Sequence, residues 1–205
     1  MKKYPVITIS REYGSGGREI GKKLSEQLEL PFYDYEIVSL ASQDSRFAEE
    51  MFDKAEVRSD SAIKLALSRL SNKGTYKMPL DDQLFMIQSG IIRTIADRGP
   101  AVIVGRCADF VLRDYAKCIH IFVQADFPFR VKEAMKRNNL SETEAIKYVR
   151  NIDKRRATYY NYYSDHRWGK REDYDLCISS SAVGIKVTTD IIHTFVENWI
   201  SSEKE

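Results

Sequence analysis

The fold is indicated near the N-terminus by residues 6–21, which read VITISREYGSGGREIG. The first four residues form a β-branched apolar run, which is typical of a buried strand. Gly14-Ser15-Gly16-Gly17 follows this run, and helical spacing of Ile20 and Leu24 begins directly after it. A strand, a glycine-rich turn and an amphipathic helix in this order predict the opening of a parallel α/β sheet.

The rest of the chain continues this alternation of short apolar runs and helical patterns. Further strand candidates lie at residues 31–34, 101–104, 119–123 and 176–178. The pattern predicts a parallel sheet of about five strands, with helices on both faces, in a single domain spanning residues 1–205. Ligands of such sheets bind beyond the carboxyl ends of the strands, so the glycine turn and Gly105-Arg106 should border one crevice.

Composition narrows the class of protein. The 205 residues carry a net charge of only +2, which argues against a general nucleic-acid coat. Three widely spaced cysteines, Cys107, Cys118 and Cys177, fit neither a disulfide framework nor a zinc ribbon. The apolar run at the N-terminus is too short for a signal peptide, and no segment has the length of a membrane span. We therefore expect a cytoplasmic globular protein without membrane association.

Positive charge is concentrated in one segment. Residues 147–171 contain eight basic and two acidic side chains, a net charge of +6. Arg156 falls on the apolar stripe of a helix that Ser141 and Glu144 should open with a capping box. A half-buried guanidinium needs a partner. Asp153, three residues earlier, is one candidate, and a polyanion such as a triphosphate is the other; a solvated surface charge run is a third interpretation.

The glycine turn has two interpretations of its own. Aligned on the standard phosphate-binding pattern G-x-x-x-x-G-K-[ST], Arg11 stands at the first glycine, Gly17 at the lysine and Arg18 at the hydroxyl residue. A glycine-rich β–α turn without a ligand is one interpretation. The other is a phosphate site made of backbone N–H groups and the helix N-terminus, with Arg18 in place of the lysine.

Several motifs together resemble the cytidylate kinase-like family, an offshoot of the P-loop nucleoside monophosphate kinases. The resemblance spans nearly the whole chain, and the family shares the altered glycine turn. It implies a three-layer P-loop NTPase fold with a helical lid and insert. The matching segments are residues 9–21, 30–34, 104–106, 153–156 with 159–160, 168–169 and 174–177.

The resemblance also implies roles for individual residues. Arg18, Arg155 and Arg156 would act on the transferring phosphoryl group. The phosphate-binding loop would comprise Arg11, Gly14, Ser15, Gly16, Gly17, Arg18 and Glu19. Mg²⁺ would arrive with ATP, with Ser15 or Glu19 near it through water. The lid would span about residues 141–171 and include Arg150, Asp153, Lys154 and Tyr159.

The acceptor nucleotide would contact Asp34, Arg106 and Asp109, with a metal-bound water as the alternative partner of Asp34. A helical insert at about residues 44–78 would bind the acceptor or form a dimer contact. Two of these residues have structural alternatives. Asp34 is equally suited to capping a helix, and Arg106 to an ion pair with Asp109.

Three hypotheses follow for function. The first is a phosphotransferase that moves the γ-phosphoryl group of ATP to CMP or a related monophosphate. The second is a non-catalytic nucleotide-binding regulator, because the lysine of the standard loop is missing. The third is RNA binding by residues 147–171. We favour the first, with small-molecule nucleotides as partners and no nucleic acid, and leave a homodimer open.

Overall fold

The computed structural model describes residues 4–34 and 79–202. The chain divides into two compact units, residues 1–34 with 99–205 and residues 35–98. The predicted insert at residues 44–78 lies outside the described residues. A single domain with an insert therefore stays a prediction.

A five-stranded parallel sheet forms the centre of the first unit, in the order β2-β3-β1-β4-β5. Ile7 and Ile9 of the central strand are completely buried, as the apolar run at residues 6–9 predicts. The predicted number and direction of strands are confirmed. The strands are β1 Val6–Arg11, β2 Phe32–Tyr33, β3 Val102–Val104, β4 Cys118–Gln124 and β5 Leu176–Ser179.

Helices follow the strands along the chain, and the predicted α/β fold is confirmed. The helix α1 buries Ile20, Leu24 and Leu28, which pack with β1 and β3 in the main core. In the second unit, the described part is α2 and Pro79. No helix among the described residues is long and apolar enough to cross a membrane. The helices are α1 Gly17–Leu28, α2 Leu80–Arg98, α3 Ala108–Val111, α4 Phe127–Asn138, α5 Glu142–Ser164 and α6 Ser180–Ser202.

The helix α5 begins with the predicted capping box. The Ser141 side chain accepts a hydrogen bond from the Glu144 amide at 3.4 Å, and the Glu144 carboxylate accepts one from the Ser141 amide at 2.9 Å. Ala145 and Val149 are completely buried against Val131 and Ala134 of α4. This small second core fixes α5, which carries much of the basic segment, beside α4.

The last helix starts earlier than the apolar pattern predicts. Helical spacing indicates a beginning near Val183, whereas α6 begins at Ser180, directly after β5. Gly184 has φ 80° and interrupts the helix there with a kink. Because the first three residues of α6 are two serines and an alanine, the apolar period becomes visible only at Val183.

Candidate functional site

Backbone geometry at the end of β1 requires glycine. Gly14 and Gly16 have φ values of 81° and 76°, in the left-handed region that favours glycine. A Cβ atom at position 14 would lie 2.7 Å from the carbonyl oxygen of Arg130. The turn is therefore shaped for close backbone packing, and it leads directly into the N-terminus of α1.

Two serines hold this turn. The Ser15 hydroxyl donates to the carbonyl oxygen of Glu12 at 2.9 Å. Ser180, at the start of α6, donates from its own hydroxyl to the carbonyl oxygen of Ser15 at 2.5 Å. Both serines are completely buried. The loop is thus preorganised, and the first-turn N–H groups of α1 lack partners within the helix, as at any helix N-terminus.

The helix α5 is fastened to the loop by two side chains that the sequence assigns to the lid. Asp153 accepts a hydrogen bond from the Tyr13 amide at 2.8 Å. Arg156 donates to the carbonyl oxygen of Arg11 at 2.9 Å. Both contacts involve backbone atoms of the loop, so α5 and the loop form one connected site.

Arg130 of α4 is a member of this site that the sequence analysis does not identify. Its side chain is only 9% exposed and forms ion pairs with Asp153 and, at 3.3 Å, with Glu12. Its Nε donates to the carbonyl oxygen of Ala125 at 3.0 Å. Its position on the apolar stripe of α4, next to Val131, is the same signal that singles out Arg156 on α5.

Four arginines gather at the loop. Burial lowers the pKa of Arg11 to about 9, helped by the positive charges of Arg156 and Arg106 and, more weakly, of Arg18. Among the described residues, Asp34 is the acid whose charge raises the pKa of Arg11. Burial also lowers the pKa of Arg156. Among the described residues, positive charge therefore exceeds negative charge at this point, even with Asp153 lying 3.9 Å from Arg156, and this favours an anionic ligand.

Arg106 lies in a strained turn at the end of β3. Gly105, Arg106 and Cys107 have consecutive positive φ values of 83°, 58° and 54°. Two of the three carry a side chain, and each such residue costs roughly 1–2 kcal/mol in the left-handed region. Strain of this kind concentrates at functional sites. Here the strained turn lies against the side chain of Arg11, at Gly105.

Arg18 and Asp34, two predicted site residues, bind each other. The Nε and one terminal nitrogen of Arg18 lie 2.7 and 2.6 Å from Oδ2 of Asp34. The Asp34 side chain is 5% exposed, whereas that of Arg18 is 59% exposed. The structure thus brings the two residues together, with Asp34 buried and Arg18 mostly exposed.

Asp109 lies deeper than an acceptor-binding residue is expected to lie. It is 4% exposed, and Ser10 donates a hydrogen bond to its carboxylate at 3.2 Å. Burial raises the pKa of Asp109, an effect that hydrogen bonds from tyrosines oppose. Contact between Asp109 and a nucleotide stays a prediction, and it would require this carboxyl group to become accessible.

Of the other residues predicted for the lid, three are exposed and one is half-buried. Arg150, Lys154 and Arg155 are exposed, and Arg150 lies over the ring of Phe127 at 5.2 Å. Tyr159 is half-buried and packs edge-on against Tyr163 at 4.8 Å. The roles proposed for these four residues stay predictions, as do RNA binding and a homodimer.

The described side chains at the loop provide few ligands for a divalent cation. The buried Ser15 hydroxyl is directed at the loop backbone, so it does not fit as a direct ligand. Glu19 is exposed on the first turn of α1, 3.9 Å from Lys23. Among the residues that the structure describes, no group of three or more His, Cys, Asp or Glu side chains could hold a metal ion.

The sheet order and the glycine turn define an α/β protein with a P-loop fold. The family model described as the cytidylate kinase-like family matches residues 6–182, and the chain belongs to this family. The resemblance inferred from the motifs is thereby confirmed. Membership supports a kinase-like function on a nucleotide or another small molecule.

Solved structures agree on the fold. An uncharacterized protein from Eubacterium ventriosum is 29% identical with a TM-score of 0.75, over 96% of this chain and 99% of that one. A gluconokinase from Sinorhizobium meliloti is 11% identical with a TM-score of 0.54, over 98% and 97%. A shikimate kinase from Bacteroides thetaiotaomicron is 12% identical with a TM-score of 0.52, over 94% and 98%. No curated protein matches the chain.

Proposed function

We propose that the protein transfers the γ-phosphoryl group of ATP to CMP or a related nucleoside monophosphate. The observation that carries this proposal is the cluster of Arg11, Arg18, Arg106 and Arg156 around a preorganised glycine loop. Phosphoryl transfer requires little covalent chemistry from a protein, because positioning and charge neutralisation stabilise the transition state. A loop with excess positive charge at a helix N-terminus supplies both.

Each element has a separate role in this proposal. The N–H groups of the loop and of the first turn of α1 would bind the β-phosphate of the donor. Arg156 would neutralise charge on the transferring group from the side of α5, and Arg106 would hold the phosphate of the acceptor. Mg²⁺ would be bound chiefly by the nucleotide phosphates and by water, since kinases of this kind use ATP together with Mg²⁺.

The contacts between α5 and the loop support a lid in this proposal. Arg156 and Asp153 contact the backbone of Arg11 and Tyr13. A nucleotide bound at the loop would therefore find the arginine in place. Closure of the surrounding groups would exclude the water that otherwise hydrolyses ATP.

The test is a coupled assay with ATP, Mg²⁺ and a panel of nucleoside monophosphates. We expect ADP to be released with at least one acceptor, CMP first, and to depend on that acceptor. Release of ADP with every acceptor or with none would contradict a specific monophosphate kinase.

A non-catalytic nucleotide-binding regulator is the second candidate, and Gly17 in place of the standard lysine favours it. The same assay separates the two functions. Tight nucleotide binding without ADP release for any acceptor would contradict the phosphotransferase and support the non-catalytic regulator.

A further inference from the structure

We infer that Arg11, rather than Arg18, supplies the phosphate-binding cation that the standard loop takes from its lysine. The inference rests on the proposed function, because it names the group that binds the donor phosphates at the same site. It concerns positions 11 and 17, at which the basic residue and the glycine stand in the reverse order to the standard loop. Arg11 stands where the standard loop has its first glycine, and Gly17 where that loop has lysine.

The first argument is steric. A Cβ atom at position 17 would lie 2.5 Å from Cβ and 3.0 Å from Cγ of Arg11. The neighbour is the stem of a side chain anchored on β1, which cannot easily move. A side chain at position 17 and the side chain of Arg11 therefore compete for the same space. The absence of lysine at position 17 and the presence of arginine at position 11 are therefore linked sterically.

The second argument is the position of the Arg11 guanidinium. One of its terminal nitrogens lies against Gly105. A Cβ atom at position 105 would collide with this nitrogen and would lie 2.9 Å from Cζ of Arg11. Gly105 follows β3, which pairs with β1 through Ile9 and Val104. The Arg11 guanidinium therefore lies at the carboxyl ends of two neighbouring central strands, where ligands of such sheets bind.

The third argument is electrostatic. The Arg11 guanidinium makes no hydrogen bond and no ion pair with any residue in 4–34 or 79–202. Arg156 and Arg106 lower its pKa further after burial has done so. The charge of Asp34 acts in the opposite direction but has a smaller effect than either of these two arginines. A half-buried cation in such surroundings is costly unless a further anion joins it. A phosphate group would remove this cost.

Arg18 is in a different situation. Two of its nitrogen atoms already contact Oδ2 of Asp34, at 2.7 and 2.6 Å, and its side chain is mostly exposed. Binding a phosphate would require Arg18 to leave this carboxylate. Arg11 needs no such rearrangement, so it is the better preorganised of the two.

The experiment measures ADP binding by calorimetry, with Mg²⁺ present, together with the melting temperature of the free protein. Arg11→Met keeps the stem and removes the charge. We expect ADP binding to weaken about 10- to 10²-fold, the range of a lost charge-assisted hydrogen bond. The free variant should melt at the same temperature as the wild type or higher, because a poorly compensated cation has been removed.

Restoring the standard loop provides the decisive variant. Gly17→Lys alone should lower the melting temperature, since its Cβ atom meets the Arg11 stem. Arg11→Gly combined with Gly17→Lys removes that collision and recreates the standard glycine and lysine positions. We expect the double variant to regain ADP affinity within about 10-fold of the wild type. Arg11→Lys, which keeps the charge on β1, should also retain most of the affinity.

The outcomes separate this inference from the proposed function. If Arg11→Met binds ADP like the wild type while Arg18→Met does not, Arg18 is the substitute and the inference is overturned. If both single charge-removing variants bind like the wild type, neither arginine has the role. If the folded wild type binds no ADP, the proposed function fails and the inference fails with it.

Discussion

Replacing Arg156 by methionine is expected to slow phosphoryl transfer by about 10²–10³-fold, the scale of losing one preorganised donor at a transition state. Arg156 is the arginine of α5 that contacts the loop, through the carbonyl oxygen of Arg11 at 2.9 Å. Its guanidinium also lies 5.8 Å from the ring centre of Tyr13. These two contacts hold the side chain beside the loop.

The matched control is Lys147→Met, which removes one positive charge from an exposed position of the same helix. We expect this variant to keep the wild-type rate. The measurement is the turnover number with the best acceptor of the panel, alongside the dissociation constant for ADP. Arg156→Met should lower turnover much more than ADP affinity. If both variants kept the wild-type rate, Arg156 would have no role in transfer. If both lost activity equally, α5 would contribute only general positive charge.

Gly105→Ala is expected to lower kcat/KM for ATP by about 10²–10³-fold without unfolding the protein. The new methyl group would occupy the position of the Arg11 guanidinium, so the end of that side chain must move. Because only a flexible end is displaced, the stability cost beyond the backbone strain at φ 83° should be small. The phosphate-binding cation would be lost from its position.

Gly184→Ala is the control for backbone strain. Its φ of 80° nearly equals that of Gly105, but a Cβ atom there would have no neighbour within 4 Å. Both variants should lose roughly 1 kcal/mol of stability from the left-handed backbone, and only Gly105→Ala should lose activity. Thermal unfolding and steady-state kinetics measure the two effects. Similar activity of both variants would contradict the assigned position of Arg11.

The sequence predicts the framework of the fold because local patterns determine it. The β-branched run at residues 6–9 and the helical spacing after Gly17 are both visible in one short segment. The capping box at Ser141 places the start of α5 correctly. Parallel strands buried on both faces are continuous apolar runs, so their number can be counted directly.

The charged centre of the site is less visible in the sequence, since it depends on space between distant elements. Nothing local to Arg11 indicates that it occupies the space of a side chain at position 17 or extends to Gly105. Arg18 has the more obvious place in the motif, yet it binds Asp34. Arg130 lies outside the segment of concentrated charge, and its two acidic partners come from the loop and from α5.

Calorimetric titration of the wild-type protein with ADP and Mg²⁺ tests the central claim most directly: the glycine loop and its arginines bind the phosphates of a nucleotide. We expect one binding site per chain, with a dissociation constant of roughly 1 μM to 1 mM, the usual range of enzyme–substrate affinities. Affinity should fall as salt is added, because guanidinium groups supply much of the attraction. The absence of any heat of binding from a sample that unfolds cooperatively would contradict the claim.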